Sequence, residues 1–320
     1  MEKITRLIKL IEVYSDIAGS KKGASLGIEA LKKSGEDAES KYFKKFLTEA
    51  IEDENESHKE KSEFEHAKYI DKIYLVVERL ANRVKALRDQ EMFPIVLAGD
   101  HASCAGTMHG LRMAHPGEEI GVVYIDAHAD IHSPYTSDSG NMHGMPLAIA
   151  CALDNRDSSV SAPTNKEKEY WNKLKYMVSD EPSIKPENVI FCALRDFEEA
   201  EASLIKKHDI TTHTVEEITS NGIKNTVENI FDELSHCKHI YVSFDVDSID
   251  PLYVPGTGTP VHNGLSYEQA LQLNMELIKN EKVCCWEIAE INPLYNKSED
   301  DSQKIFQILE KVTDKLVKHY

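Results

Sequence analysis

The chain has 320 residues, 41% of them hydrophobic, and a formal net charge of −18. That size and apolar content support a substantial core, while the acidic surplus argues against a nucleic-acid partner, because phosphate binding needs a basic face. No apolar stretch approaches the roughly 20 residues of a membrane span, and Lys3, Arg6, Lys9 and Glu12 interrupt the apolar positions at the start, so neither a signal peptide nor an anchor is expected.

In chain order, the first β-rich run is KLIEVYSDI (9–17). The charged stretch EAIEDENESHKEKSEFEH (49–66) reads as a solvated helix or loop surface. Further β-rich runs follow at FPIVLAG (93–99), GVVYID (121–126), NVIFCAL (188–194), HIYVSFD (239–245) and VCCWEIAEI (283–291), and LDNRDSSVSAPTNK (153–166) reads as a surface loop. Ser266, with Gln269 three positions on, opens a helix with a capping box. In the last segment Ile305, Ile308, Leu309, Val312 and Leu316 form one apolar helical stripe. Apolar strands alternating with helices indicate an α/β fold of three layers, α/β/α, around a central, mostly parallel sheet. With no internal repeat and no linker, residues 1–320 read as a single domain.

Six scattered cysteines (Cys104, Cys151, Cys192, Cys237, Cys284 and Cys285) include no CxxC pair, which points to buried thiols and a reducing cytoplasm. Cys284 and Cys285 are adjacent in a strand, so their side chains should leave opposite faces. Two inert core thiols are expected there rather than a regulatory disulfide.

In parallel sheets ligands sit beyond the carboxyl ends of the strands. The polar clusters obey that rule: GDHASCAG follows FPIVLA, DAHAD follows GVVYI, DVDSIDP follows IYVSF, and EINP closes CCWEIA. Asp126, His128 and Asp130 are spaced i, i+2, i+4, which in extended chain puts all three on one face. With His101, Asp245 and Asp247 they make six candidate ligands for two divalent ions. Singly, each has an ordinary explanation as a helix cap or a satisfied histidine. Together, four buried carboxylates without cations would be costly. The oxygen-rich mixture favours Mn²⁺, although Zn²⁺, Fe²⁺ or Co²⁺ could also occupy it.

GDHASCAGT, DAHADIHSPYTSDSGNMHGMPLA, SFDVDSIDPLYVPGTGTP and EINP closely resemble the motifs of the ureohydrolase superfamily, most of all its arginase branch, and KKGASLGIEALKKSG resembles that branch's opening segment. The resemblance implies a single arginase-like domain with a dimanganese site at His101, Asp126, His128, Asp130, Asp245 and Asp247. It also implies hydrolysis of L-arginine to L-ornithine and urea by a metal-bridging hydroxide. Such a cluster would be slightly anionic, and so suited to a guanidinium. By the same resemblance Asp130 would orient the hydroxide and carry its proton, His143 would shuttle protons, and Glu290 would pair with the guanidinium. Thr259 would help shape the pocket. A homo-oligomer, trimer or hexamer, is implied as well.

For the far end of the substrate, the arginase pattern implies Ser137, Ser139 and Asn141 as donors to an α-carboxylate. His132 departs from that pattern, standing where arginases usually have asparagine, and admits another acid. Glu198 stands in place of an aspartate near the α-amino group, with Glu201 one turn on; acids are also favoured at a helix start. The alternatives are a formimidoylglutamase, which releases formamide, an agmatinase or guanidino-acid hydrolase, and a non-catalytic metal-binding protein of the same fold.

Overall fold

The computed structural model describes residues 7–298 and 300–319. Eight strands form one sheet: β1 (Ile8–Val13), β2 (Thr48–Ile51), β3 (Phe93–Ala98), β4 (Ile120–Ile125), β5 (Val189–Cys192), β6 (Thr211–His213), β7 (His239–Asp245) and β8 (Val283–Ala289). Their order is β2-β1-β3-β8-β7-β4-β5-β6, and every pairing is parallel. Strands of this kind are buried on both faces, which is why their residues are almost continuously apolar.

Alternate residues of the central strands feed two cores. Val96, Val122, Tyr124 and Tyr241 face one, together with the helices Ile70–Arg88, Cys104–Ala114 and Asn165–Lys175. Ile95, Leu97, Val123 and Val242 face the other, covered by the helices Gly27–Asp37, Ile223–Glu233, Tyr267–Leu277 and Asp300–His319. The three layers expected from the sequence are present. Ile305, Ile308, Leu309, Val312 and Leu316 are buried along the last helix. Ser266 and Gln269 form their capping box, with Gln269 N donating to Ser266 Oγ at 3.1 Å and Ser266 N to Gln269 Oε1 at 2.8 Å.

Three local expectations are corrected. Thr48–Ile51, which overlaps the start of the stretch read as solvated surface, is an edge strand paired to β1. Thr211–His213, for which no strand was expected, is the opposite edge. Cys284 and Cys285 pack into the same core rather than opposite ones, because the β7–β8 pairing shifts register between Ile240 and Tyr241 and interrupts the alternation. All six cysteines are buried and free. Among the described residues, no helix is long and apolar enough to cross a membrane.

Candidate metal centre

Adjacent strands β3, β8, β7 and β4 end side by side and carry the four motifs. Tyr124 of β4 pairs in register with Ser243 of β7. Two residues on, the same alternation carries Asp126 and Asp245. His101, in the 3₁₀ turn after β3, settles over these strands, its ring stacked on Tyr124 with centroids 4.7 Å apart. Gly99 admits that turn: a Cβ there would lie 2.1 Å from the Ser15 carbonyl oxygen.

His101 Nε2 is 2.7 Å from Ser243 Oγ, which leaves Nδ1 facing the cluster. Around Nδ1 lie Asp126 Oδ2 at 2.9 Å, Asp245 Oδ2 at 3.1 Å and Asp130 Oδ2 at 3.2 Å. Asp126 Oδ2 is buried and, despite that proximity, has no hydrogen-bond partner. His128 Nδ1 is 3.0 Å from Asp247 Oδ2 and 3.5 Å from Asp126 Oδ1. Asp126 therefore touches both histidine centres, the position of a bridging carboxylate. An orphaned buried oxygen within a histidine and carboxylate donor set fits divalent cations.

The electrostatics describe the same deficit of positive charge. Burial, then the charges of Asp247 and Asp130, pushes the Asp126 carboxyl up to about 6. Burial and the charges of Asp247 and Asp126 push Asp245 up as well. Burial disfavours charging His128, but Asp247 and Asp126 outweigh it and hold the imidazole far above its ordinary value. Asp247, which burial would raise, is pulled down by His128. Crowded carboxylates that retain protons, beside imidazoles that gain them, are a site lacking cations.

The cluster opens into a cavity of about 180 Å³ also lined by His132, His143, Asp196, Phe197, Glu198, Glu201, Thr259 and Glu290. Thr259 Oγ1 donates to Asp247 Oδ2 at 3.0 Å, so it braces a candidate ligand. Glu290 Oε1 accepts from the His101 backbone N–H at 3.0 Å and lies 3.4 Å from His143 Nδ1. Burial opposes charge on His143, but Glu290, Asp130 and Asp100 outweigh it and lift the imidazole to about 9. Asp130 and Glu290 both have left-handed backbones, with φ of 49° and 63°. Such strain costs of order 1–3 kcal/mol at a non-glycine residue and gathers at functional sites.

His132 lines the cavity but is engaged by acids: its Nε2 is 3.4 Å from Glu201 Oε2 and 3.7 Å from Glu198 Oε2. Glu198 and Glu201 also form the capping box of the helix Glu199–Lys207, so the helix-start and pocket readings both hold. The structure does not bring Ser137, Ser139 and Asn141 into this cavity. Gly140, at φ +69° with the Glu65 carbonyl oxygen 2.1 Å from where a Cβ would stand, presses their loop against residues 65–68. Ser139 and Asn141 line a neighbouring hollow of about 750 Å³ with Lys61 and Lys68. Ser137 Oγ accepts from Gly140 N at 3.0 Å, and Asn141 Oδ1 accepts from Lys68 Nζ at 3.2 Å.

A hollow of about 840 Å³ beside Arg195 and His262 is larger but lacks any such cluster. Arg195 spends its guanidinium on the carbonyls of Ala193, Asp247, Ser248, Val261 and His262, knitting strand-end loops together.

Several site residues escaped the sequence reading. Asp196 sits 3.7 Å from His128 Nε2, and Asp100 is buried, accepting from Ser15 Oγ and the Ala18 N–H. Burial, then the Glu290 charge, pushes Asp100 up to about 7. Tyr124 and Ser243 were hidden inside apolar strand runs. Their even spacing from Asp126 and Asp245 is the signal that could have found them.

Fold and donor set together define a metal-dependent hydrolase with its site at the carboxyl edge of a parallel sheet. Residues 8–313 match the Arginase family, and the chain belongs to that family. It is 31% identical over 252 residues to the arginase of Bacillus subtilis (strain 168), covering 78% of this chain and 79% of that protein. The Entamoeba histolytica arginase, solved in complex with L-ornithine, superposes with a TM-score of 0.80 at 26% identity, over 96% of this chain and 98% of that one. The formimidoylglutamase of Bacillus subtilis subsp. subtilis str. 168 shares the fold, with a TM-score of 0.73 at 18% identity over 97% and 87% of the two chains. As an arginase-family enzyme, the chain is a metal-dependent amidinohydrolase.

Proposed function

We propose that the chain hydrolyses L-arginine to L-ornithine and urea with two Mn²⁺ per chain. The observation that carries this reading is the set of three aspartate oxygens within 3.2 Å of His101 Nδ1, at the wall of the cavity that Glu290 enters. His101, Asp126, Asp130 and Asp245 would hold one ion, and His128, Asp126 and Asp247 the other. When bound, the pair supplies an ionised water near neutral pH.

The chain's own residues do the rest. Glu290 offers two carboxylate oxygens to the planar guanidinium. Asp130 would orient the water and carry the proton left on its oxygen toward the leaving amine, while His143 would pass to solvent the proton released when the next water ionises. Thr259 steadies Asp247. His132 and Glu198, which line the same cavity, meet the amino-acid end.

The placement of Ser139 and Asn141 outside the metal cavity, with His132 held by Glu201, favours a second reading. In it the acid of the substrate differs from that of arginine, as in a formimino acid or another guanidino acid. The test is the Mn²⁺-loaded protein assayed against arginine, agmatine, guanidino acids and formimino acids, with urea and formamide both measured. Urea from arginine is expected. Formamide from a formimino acid would establish the second reading, and two bound ions with no turnover across the panel would leave a non-catalytic binding protein.

A further inference from the structure

The hydroxyl of Tyr124 lies inside the candidate metal cluster. Tyr124 Oη is 3.1 Å from His101 Nδ1, the nitrogen that faces the ion site, and donates to Asp130 Oδ2 at 2.8 Å. Four oxygens thus surround one nitrogen at nearly equal distances: Asp126 at 2.9 Å, Asp245 and Tyr124 at 3.1 Å, and Asp130 at 3.2 Å. Donors about 2.1 Å from a first-row or similar dication sit about 3 Å apart when they occupy neighbouring corners of an octahedron. The tyrosine oxygen has the same spacing as the three carboxylates.

Tyr124 cannot readily withdraw. Its side chain is fully buried, stacked on His101 at 4.7 Å and set edge-on to Phe191 at 6.0 Å. The hydroxyl lies on the axis of ring rotation, so flipping the ring leaves Oη in place, and a change of χ1 would require the core to open. A buried phenol also needs polar partners. Apart from a 3.7 Å approach to Cys104 Sγ, its hydrogen-bond partners are atoms of the cluster.

We infer that Tyr124 is a fifth protein donor to the ion held by His101, through its phenolic oxygen, completing a His-Asp-Asp-Asp-Tyr set with one of six positions left for water. This rests on the metal-centre reading above. A hard phenolic oxygen makes this half of the centre better suited to Mn or Fe than to a four-coordinate Zn²⁺ site.

The test compares wild type with Tyr124→Phe, which keeps the ring and its stacking. Mn²⁺ affinity is measured at each site by competition with a chromophoric chelator, and the visible spectrum is recorded after loading with Fe³⁺. Wild type is expected to take up two Mn²⁺ per chain and, with Fe³⁺, to show a phenolate-to-iron charge-transfer band. Tyr124→Phe should weaken one Mn²⁺ by about tenfold or more while sparing the other, and should lose the band. Wild-type Mn²⁺ affinities in the variant, or a band that is absent from wild type or survives in the variant, would overturn the assignment. In that event arginine hydrolysis by the loaded wild type leaves the proposed function standing. Failure of wild type to bind Mn²⁺ at all would remove both.

Discussion

Replacing Ser243 with alanine tests how the fold chooses which nitrogen of His101 meets an ion. Ser243 Oγ, wholly buried, sits 2.7 Å from His101 Nε2, where it can accept that nitrogen's proton and so leave Nδ1 to meet an ion. Without the hydroxyl, the buried Nε2–H loses its partner, a loss of about 1–3 kcal/mol. Relief is available by moving the proton to Nδ1, where three aspartates would accept it. That tautomer cannot bind the ion. Outer partners of metal-bound histidines are typically worth 10–100-fold in affinity, or about 1.4–2.7 kcal/mol. In Ser243→Ala one of two Mn²⁺ should weaken by that factor, while the ion at His128 and Asp247 changes less than threefold. Chelator competition reads both constants, and a thermal melt of the metal-free proteins supplies the stability difference. Wild-type affinity at both sites would show that the serine does not set the tautomer.

Other outcomes follow from the same geometry. His143→Ala should retain both ions by metal analysis yet lose roughly 10²–10⁴-fold in kcat, the scale of a proton-transfer group. His132→Asn removes the ring that engages Glu201 and should raise kcat/KM for arginine roughly tenfold, the worth of about one recovered hydrogen bond; unchanged kinetics would mean this position does not read the acid end. His109 is buried with Nε2 unpartnered, and burial lowers it from 6.5 to about 4. A depressed histidine gives its full stabilisation above pH 6.5 and loses it progressively as pH falls toward 4, of order 3 kcal/mol in all. Chemical denaturation at pH 7 and pH 4.5 should therefore show a smaller acid-induced loss in His109→Gln than in wild type.

The parts of this molecule legible in its sequence are those where local pattern and global fold agree. Apolar runs closing in GDH, DAHAD and DVD placed the six candidate ligands, and EINP placed Glu290, because side chains alternate along an extended chain. Thr48–Ile51 and Thr211–His213 were not legible: they have four and three residues, lie at the sheet edges, and owe their extended form to the neighbours they pair with. The shared core of Cys284 and Cys285 depends on a register shift that no composition announces. Ser137, Ser139 and Asn141 advertise hydrogen-bonding capacity but not direction, which Gly140 and its crowding against Glu65 decide. The engagement of His132 by Glu201 joins positions that lie far apart in sequence and could not be read from either.

The order of strands in the sheet bears on how the protein matures. His101 follows β3 and Asp247 follows β7, with β4, β5 and β6 threaded between them in the chain, so no short fragment holds a complete donor set. A polypeptide severed in the loop between β4 and β5 would leave His101, Asp126, His128 and Asp130 on one piece and Asp245 and Asp247 on the other. Cation affinity would then report the reunion of the two halves, and depletion of the ions should first loosen the strand tips that they tie together.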